Sequence, residues 1–339
     1  MSPGKLARPL AVFFLVAIAI ACRTKENRSP EKNSASRIRI GHFPNLTHAP
    51  ALLARSRGDF ERALAPAKVE WLLFSAGPQG VEAIFAGEVD LLYVGPGPAL
   101  SGFVRSGGRK VVVLAGSTSG GSGLVLRKEA GIDDPAKLGG KRIATPGTGN
   151  TQDIALRCFL QDHGLVWSER GGTVRVVPIA AAEQLSLFRR GELDGSWAVE
   201  PWLSRLVVEG GGELRVDEGS LWPGGIFPTT LLIARPEFTE SEPDLVRRAQ
   251  ETHRRSVELL ESGDVSARKD VEKLIAELTG KSLAPAVLAK AWTRLHFTID
   301  PMKEALVHEA GQARRLGYLP DRSIDFSSLF FETKPGGSL

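Results

Sequence analysis

Cysteine is nearly absent: Cys22 and Cys158 are the only two in 339 residues. No C-x-x-C pair and no H-E-x-x-H motif occurs, so the usual thiolate pairs and zinc-hydrolase sites are excluded. No Ser/His/Asp spacing of a known kind is present either, and no cofactor or metal-ligand set is read from the chain. Net charge is small, formally +4, with no concentrated basic stretch interleaved with aromatics, which argues against a nucleic-acid partner. The apolar run Pro9 to Ala21 is too short for a bilayer span, which needs about 20 residues.

That run is instead preceded by Lys5 and Arg8 and followed by A-I-A-C, Ala19 to Cys22. A basic start, a short apolar stretch and small residues before a cut mark a secretory signal over residues 1–21. The cysteine directly after Ala21 makes it look like a bacterial lipobox, with Cys22 the lipidated residue and membrane anchor. Losing Lys5 and Arg8 lowers the formal charge from +4 to +2. Residues 22–36 are polar and aperiodic and read as a flexible tether. With Cys22 lipidated no intramolecular disulfide is available, and Cys158, inside a helical pattern, is a packing residue.

The rest is ordinary for a globular protein, 42% hydrophobic and 24% charged, and long enough for two lobes of roughly 100–150 residues. Short β-rich runs are expected at 37–43, 69–74, 90–94, 110–115, 123–127, 141–145, 174–179, 195–199 and 230–234. Helical patterns lie between them at 48–57, 78–86, 97–105, 151–163, 182–190 and 201–209. This alternation predicts α/β sheets with largely parallel cores, whose ligands sit beyond the carboxyl ends of strands. After about Pro236 only helices are expected, at 242–262, 267–279, 284–291 and 301–316, as a layer covering one lobe. Residues 333–339 read as a disordered tail. One phrase occurs twice: G-E-V-D-L-L-Y-V-G-P-G-P from Gly87 and G-E-L-D-G-S-W-A-V-E-P-W from Gly191. Matching turns and strands in two related lobes would explain the echo.

The strand-to-helix loops carry the candidate chemistry. T-P-G-T-G-N-T-Q-D-I-A-L-R, Thr145 to Arg157, runs through Gly147 and Gly149 into a helix that Asn150 or Thr151 can cap. Its first-turn N–H groups make an anion site of neutral donors, and without the P-loop lysine it is not a nucleotide site. P-N-L-T-H-A-P, from Pro44, offers Thr47 as a cap and His48 as a donor. F-S-A-G-P-Q-G, from Phe74, offers Ser75 and Gly77. A-G-S-T-S-G-G-S-G, from Ala115, suits a bendable crossover from which Ser117 or Ser119 can reach a ligand. Trp197 and Trp222, beside turns, can form a cleft wall, with Trp202 close by in sequence. Glu200 either matches a cationic group on the ligand or pairs locally with an arginine such as Arg205.

Taken together, Cys22, T-H-A-P at 47–50, G-x-x-D-x-x-x-V-G-x-x-P-A from Gly87, T-P-x-x-G-N-T-Q-D-x-A-L-R from Thr145, E-P-W at 200–202 and L-W-P-G-G at 221–225 resemble one family. It is the nitrate/sulfonate/taurine-type substrate-binding proteins of bacterial ABC importers. The resemblance implies a two-lobed, type II periplasmic-binding-protein-like α/β fold with mixed sheets, two hinge crossovers and extra C-terminal helices. Lobe I would comprise 37–118 and 226–332, and lobe II 119–225. Matching positions carry over as ligand contacts: Asn45, Thr47, His48, Ser75, Gly77, Gly95, Pro96, Thr145, Gly149, Asn150, Thr151, Trp197 and Glu200, with Ser117 and Trp222 added from the loops above.

The implied function is capture of a small organic anion and delivery to permease and ATPase subunits, outside the cytoplasmic membrane and on a lipid anchor. The expected state is a monomer. Without a cleft arginine, a sulfonate held by neutral dipoles is favoured. The tryptophans favour an organic tail, and Glu200 a taurine-like amino group. The alternatives are nitrate, bicarbonate, a pyrimidine-type vitamin precursor or a sensor-linked binding protein. An enzyme resembling the thiamine-pyrimidine synthases is disfavoured, because their cysteine-rich motif is missing.

Overall fold

The structure is a computed structural model that describes residues 36–332 apart from 133, 135 and 136. The signal segment, Cys22, the tether before Ser36 and the tail 333–339 lie outside the described residues. Among those described, no helix is long and apolar enough to cross a membrane.

In chain order the elements are β1 (Arg37–His42), α1 (Ala49–Arg57), α2 (Asp59–Leu64), β2 (Lys68–Leu73), α3 (Gly77–Phe85), β3 (Leu91–Val94), α4 (Pro96–Arg105) and β4 (Val112–Gly120). Next come β5 (Ser122–Arg127), β6 (Arg142–Thr145), α5 (Thr151–Asp162), β7 (Arg175–Pro178), α6 (Ala181–Arg189), β8 (Gly195–Val199), α7 (Trp202–Val208) and β9 (Gly212–Asp217). The chain closes with β10 (Pro228–Ala234), α8 (Pro236–Ser241), α9 (Pro243–Glu261), α10 (Val265–Thr279), α11 (Pro285–Ala291), β11 (Leu295–Phe297) and α12 (Lys303–Arg315). Proline in the first turn opens α1, α3, α4, α8, α9 and α11, where its missing N–H breaks no helical bond.

Two mixed sheets form, ordered β11-β4-β10-β3-β1-β2 and β7-β6-β8-β5-β9. Their central parts match. In one, β1 lies between parallel partners β2 and β3, and β10 runs antiparallel beside β3. In the other, β6 lies between parallel β7 and β8, and β5 runs antiparallel beside β8. Each sheet therefore has a point where the chain switches sides, beyond β1 and β3 in one and beyond β6 and β8 in the other. Ile38 and Ile40 of β1 are fully buried, each worth about 1.5–3 kcal/mol by apolar burial. In the second sheet β8 is buried along its whole length.

The repeated phrase has a structural basis. Gly87 and Gly191 both adopt positive φ, 69° and 75°, as the residues that end a helix and turn the chain. Asp90 Oδ2 then accepts the backbone N–H of Arg39 at 2.9 Å, and Asp194 Oδ2 that of Arg142 at 2.8 Å. In each sheet the aspartate pins the incoming strand to its central neighbour. Tyr93 and Trp197, the matching aromatics, are both buried.

Several expectations need correction. Ser117 and Ser119 lie inside β4, which is longer than the run at 110–115; the crossover to β5 is confined to Gly120 and Gly121, at φ 79° and 72°. Strands also continue after Pro236, because β11 pairs antiparallel with β4. The edge strand β9, G-E-L-R-V-D, alternates polar residues and gave no apolar run. The C-terminal helices do not serve only one sheet: α9 and α10 pack on α1, and α9 on α2, but α12 packs on α4 and also reaches α5.

Candidate functional site

A cavity of about 210 Å³ lies where the switch points of the two sheets meet. From the first sheet come the loops after β1 (Phe43 to His48), β2 (Phe74 to Gly77) and β3 (Gly95, Pro98), with Thr229 of β10. From the second come the loops after β6 (Pro146, Asn150 to Gln152), β7 (Ala180 to Ala182) and β8 (Val199, Trp202).

These loops are all helix starts, so α1, α3, α4, α5, α6 and α7 begin at the cavity wall. None carries a side-chain cap at its own N-cap. The first-turn N–H groups of Gly77, Thr151, Gln152, Ala181 and Ala182 have no acceptor within their helices. Helix α4 is the exception: prolines occupy positions 96 and 98, and the Gly97 N–H is spent on Thr151 Oγ1 at 3.1 Å. The aligned peptide dipoles place about half a positive charge at each helix start.

Among the described residues, no Asp, Glu, Lys or Arg lines the cavity. His48 does, packed 4.8 Å from the Phe43 ring with its Nδ1 unpartnered. Burial, reinforced by nearby His42, holds His48 well below its ordinary value of 6.5, so the ring is neutral and offers one N–H. Asn45 Oδ1 accepts from Trp202 Nε1 at 3.0 Å, joining opposite walls and leaving the Asn45 NH₂ as its unspent donor. The site can surround an anion with neutral donors, and its aromatic and aliphatic surface suits a short organic tail.

Asn45, Thr47, His48, Ser75, Gly77, Gly95, Asn150 and Thr151 are thus brought together at one cavity. Two details differ from expectation. Thr47 sits within a short 3₁₀ turn, Leu46–His48, rather than capping α1. Ser75 Oγ already donates to Gln79 Oε1 at 2.9 Å.

The remaining candidates do not line the cavity. Pro96 is buried in α4, with Gly95 and Pro98 at the wall instead. Ser117 is buried in β4. Thr145 Oγ1 and the Gly149 N–H both donate to Asp153, at 3.2 and 3.0 Å, so they build the loop from within. Trp197 is fully buried and donates to Glu218 Oε2 at 2.8 Å. Trp222 stacks on Phe227 at 5.6 Å and meets His308 edge-on. Glu200 is fully buried and accepts from Ser204 N and Oγ and from Arg294, not Arg205. Its carboxylate is thus engaged by protein partners and does not line the cavity.

Gln152, Thr229 and the Ala180–Ala182 turn are lining residues that the motif-by-motif reading did not select, whereas Trp202, one of the tryptophans read as favouring an organic tail, does line the cavity. A signal for the last existed: P-I-A-A-A-E-Q follows β7 and opens α6, just as the selected loops open their helices.

Fold and cavity together define a two-lobed periplasmic-binding-protein-like architecture. The chain belongs to the NMT1-like family, whose model matches residues 31–276. It is 28% identical over 285 residues to a Bacillus subtilis protein named as a candidate aliphatic sulfonates-binding protein, covering 81% of each chain. It is 26% identical over 198 residues to the taurine-binding periplasmic protein of Escherichia coli, covering 58% of this chain and 59% of that one. Among solved structures, the periplasmic aliphatic sulphonate binding protein of Escherichia coli aligns at TM-score 0.71 with 21% identity, over 90% of this chain and 96% of that one. The periplasmic nitrate-binding protein of Synechocystis PCC 6803 aligns at TM-score 0.72 with 14% identity, over 85% of this chain and 83% of that one. At those identities the structural likeness speaks for the fold alone.

Proposed function

We propose that this protein is an exported solute-binding protein that captures a small organic sulfonate and delivers it to an ABC importer. The observation that carries the proposal is the cavity ringed by uncapped helix starts and a neutral histidine, with no charged side chain in its wall. Partial charges spread over several N–H groups suit a sulfonate, whose single charge is shared by three oxygens. The names of the relatives support the same class and an extracytoplasmic location.

With Glu200 turned into the protein, no carboxylate among the described residues lines the wall to match an ammonium group. A plain alkanesulfonate is therefore favoured over taurine. In this reading lobe I is 37–118 with 226–332, lobe II is 119–225, the protein acts as a monomer, and Cys22 carries the lipid anchor.

Thermal shift with short alkanesulfonates, taurine, nitrate and pyrimidines tests the ligand. The expected stabilisation is about 2.7 kcal/mol at a hundredfold excess over Kd, for alkanesulfonates first. Flat curves for every sulfonate would refute it. Cys22→Ser should release the protein from membranes, and unchanged attachment would refute the anchor.

A further inference from the structure

We infer that the mouth of the cavity holds a second anion subsite, so that the preferred ligand is an elongated molecule with a sulfonate at one end and another anionic group at the other. This rests on the sulfonate reading of the inner cavity. Outside that cavity lies a cleft of about 1010 Å³, continuous with it through Pro44, Ala182 and Trp202, which line both.

The charges of the cleft contrast with the neutral chamber behind it. Among the described residues four cations line it, Arg189, Arg190, Arg205 and Lys281, against a single acid, Glu209. Glu209 is saturated by Arg205, which forms three hydrogen bonds to its carboxylate at 3.0–3.2 Å and lies 4.7 Å over the Trp202 ring. Arg190 is held by Glu192 and Ser186. The Arg189 guanidinium and the Lys281 ammonium have no hydrogen-bond or ion-pair partner among the described residues.

The two free cations come from opposite sides of the cleft. Arg189 ends α6, in the lobe of the five-stranded sheet, and Lys281 follows α10, which packs on α1 beside the six-stranded sheet. The carbonyls at each helix end attract their own cation but supply no full counter-charge. Like charges facing one cleft repel as its walls approach, and an anion between them turns that repulsion into two attractions. A ligand whose first charge sits among the helix starts would present its second charge here, with Trp202 flanking the spacer.

The test compares butane- and hexanesulfonate with the butane- and hexane-disulfonates that carry a sulfonate at each end, by calorimetry at low and high salt. Wild type should bind one of the disulfonates roughly five- to tenfold more tightly than its monosulfonate at low salt, the preference expected from two exposed ion pairs. That preference should shrink at high salt, since the pairs are solvent-exposed. The Arg189→Gln/Lys281→Gln double variant should lose it while keeping monosulfonate affinity within twofold. Both side chains are exposed, so the variant leaves the core intact. Equal affinities in wild type, or equal losses for both ligand classes in the variant, would overturn the subsite. A gain in association rate alone, with unchanged affinity ratios, would reduce it to steering and overturn it too. Monosulfonate binding without a disulfonate preference defeats only this inference. Failure of every sulfonate defeats the inner-site reading and the subsite with it.

Discussion

The Tyr318 hydroxyl donates to Asp153 Oδ2, tying the segment after α12 to the first turn of α5, 165 residues away in sequence. The same buried carboxylate accepts from Gly149 N, Thr145 Oγ1 and Arg157 Nε, at 3.0, 3.2 and 3.0 Å. One aspartate thus shapes the loop that presents Asn150, Thr151 and Gln152 to the cavity. Arg170 to the Leu316 carbonyl and Arg315 to Asp162 add further ties along the same seam.

Tyr318→Phe removes one donor from an acceptor that keeps three, and should cost about 1 kcal/mol of stability. Asp153→Asn leaves Arg157 buried with only the half-exposed Glu169 as counter-charge, and should cost about 3 kcal/mol. Because Asp153 holds Gly149 and Thr145, its loss should also weaken ligand binding. Urea unfolding and ligand titration measure the two effects. A Tyr318→Phe cost equal to that of Asp153→Asn would show that the hydroxyl, not the carboxylate, organises the loop.

A second contact joins the lobes directly, where Gly95 meets Thr151. A Cβ on Gly95 would lie 2.5 Å from Thr151 Oγ1, with Thr151 Cβ and the Thr229 carbonyl next at 3.5 and 3.6 Å. Gly95 has φ −66°, so alanine there is free of backbone strain, and the clash is the whole effect. Gly95→Ala should cost about 1–3 kcal/mol, divided between stability and ligand affinity. Thr151→Ala alone should cost about 1 kcal/mol, through the lost acceptor for Gly97 N. Combined, they should cost less than their sum by about 1 kcal/mol, since removing Oγ1 makes room for the methyl. Strict additivity in the double-mutant cycle would rule out the contact.

How much of this was legible in sequence follows from what each motif does. Strand–Gly–helix punctuation revealed the cavity loops, because a helix start is written locally by proline, glycine and small polar residues. The destinations of side chains were not local. Trp197 and Trp202 stand five residues apart in one phrase, yet Trp197 turns inward to Glu218 and Trp202 outward to Asn45. Glu200 read as a ligand group because its charged partner, Arg294, 94 residues on, meets it only through the packing of α7 against α11. In the most specific motif, Thr145 and Gly149 turned out to bond within the loop, and the neighbouring Asn150 and Thr151 reach the wall.

Ligand affinity should stay flat as pH falls from about 8 through 6.5, the ordinary histidine value. Among the described residues His48 is the sole titratable side chain of the cavity wall, and burial holds its pKa well below 6.5, so the ring stays neutral through that window. A sulfonate keeps its charge over the same range. Calorimetric titration at several pH values checks this. Affinity that climbs as pH falls through about 6.5 would mean that His48 is protonated in the complex, with an ion pair replacing a neutral donor.

Stability should vary with pH through a different group. Glu309 of α12 is buried with both carboxylate oxygens unpartnered. Burial, and then the nearby Glu218 carboxylate, hold its pKa well above the ordinary 4.5. A folded pKa above the unfolded one means the fold favours the protonated acid. That stabilisation is fully present below about pH 4.5 and is lost as pH rises through the folded value. His42 and His253, pushed down by burial to about 4, act with the opposite sign and lose stability as pH falls from 6.5. Glu309→Gln isolates the carboxyl, because it removes the charge and leaves both histidines unchanged. The variant should melt about 2–4 °C above wild type at pH 8, with the gap closing towards pH 4.5. A gap that does not change with pH would show that folding leaves the Glu309 pKa unshifted, and a variant less stable at pH 8 that Glu309 is ionised in the folded protein and stabilised there by a partner.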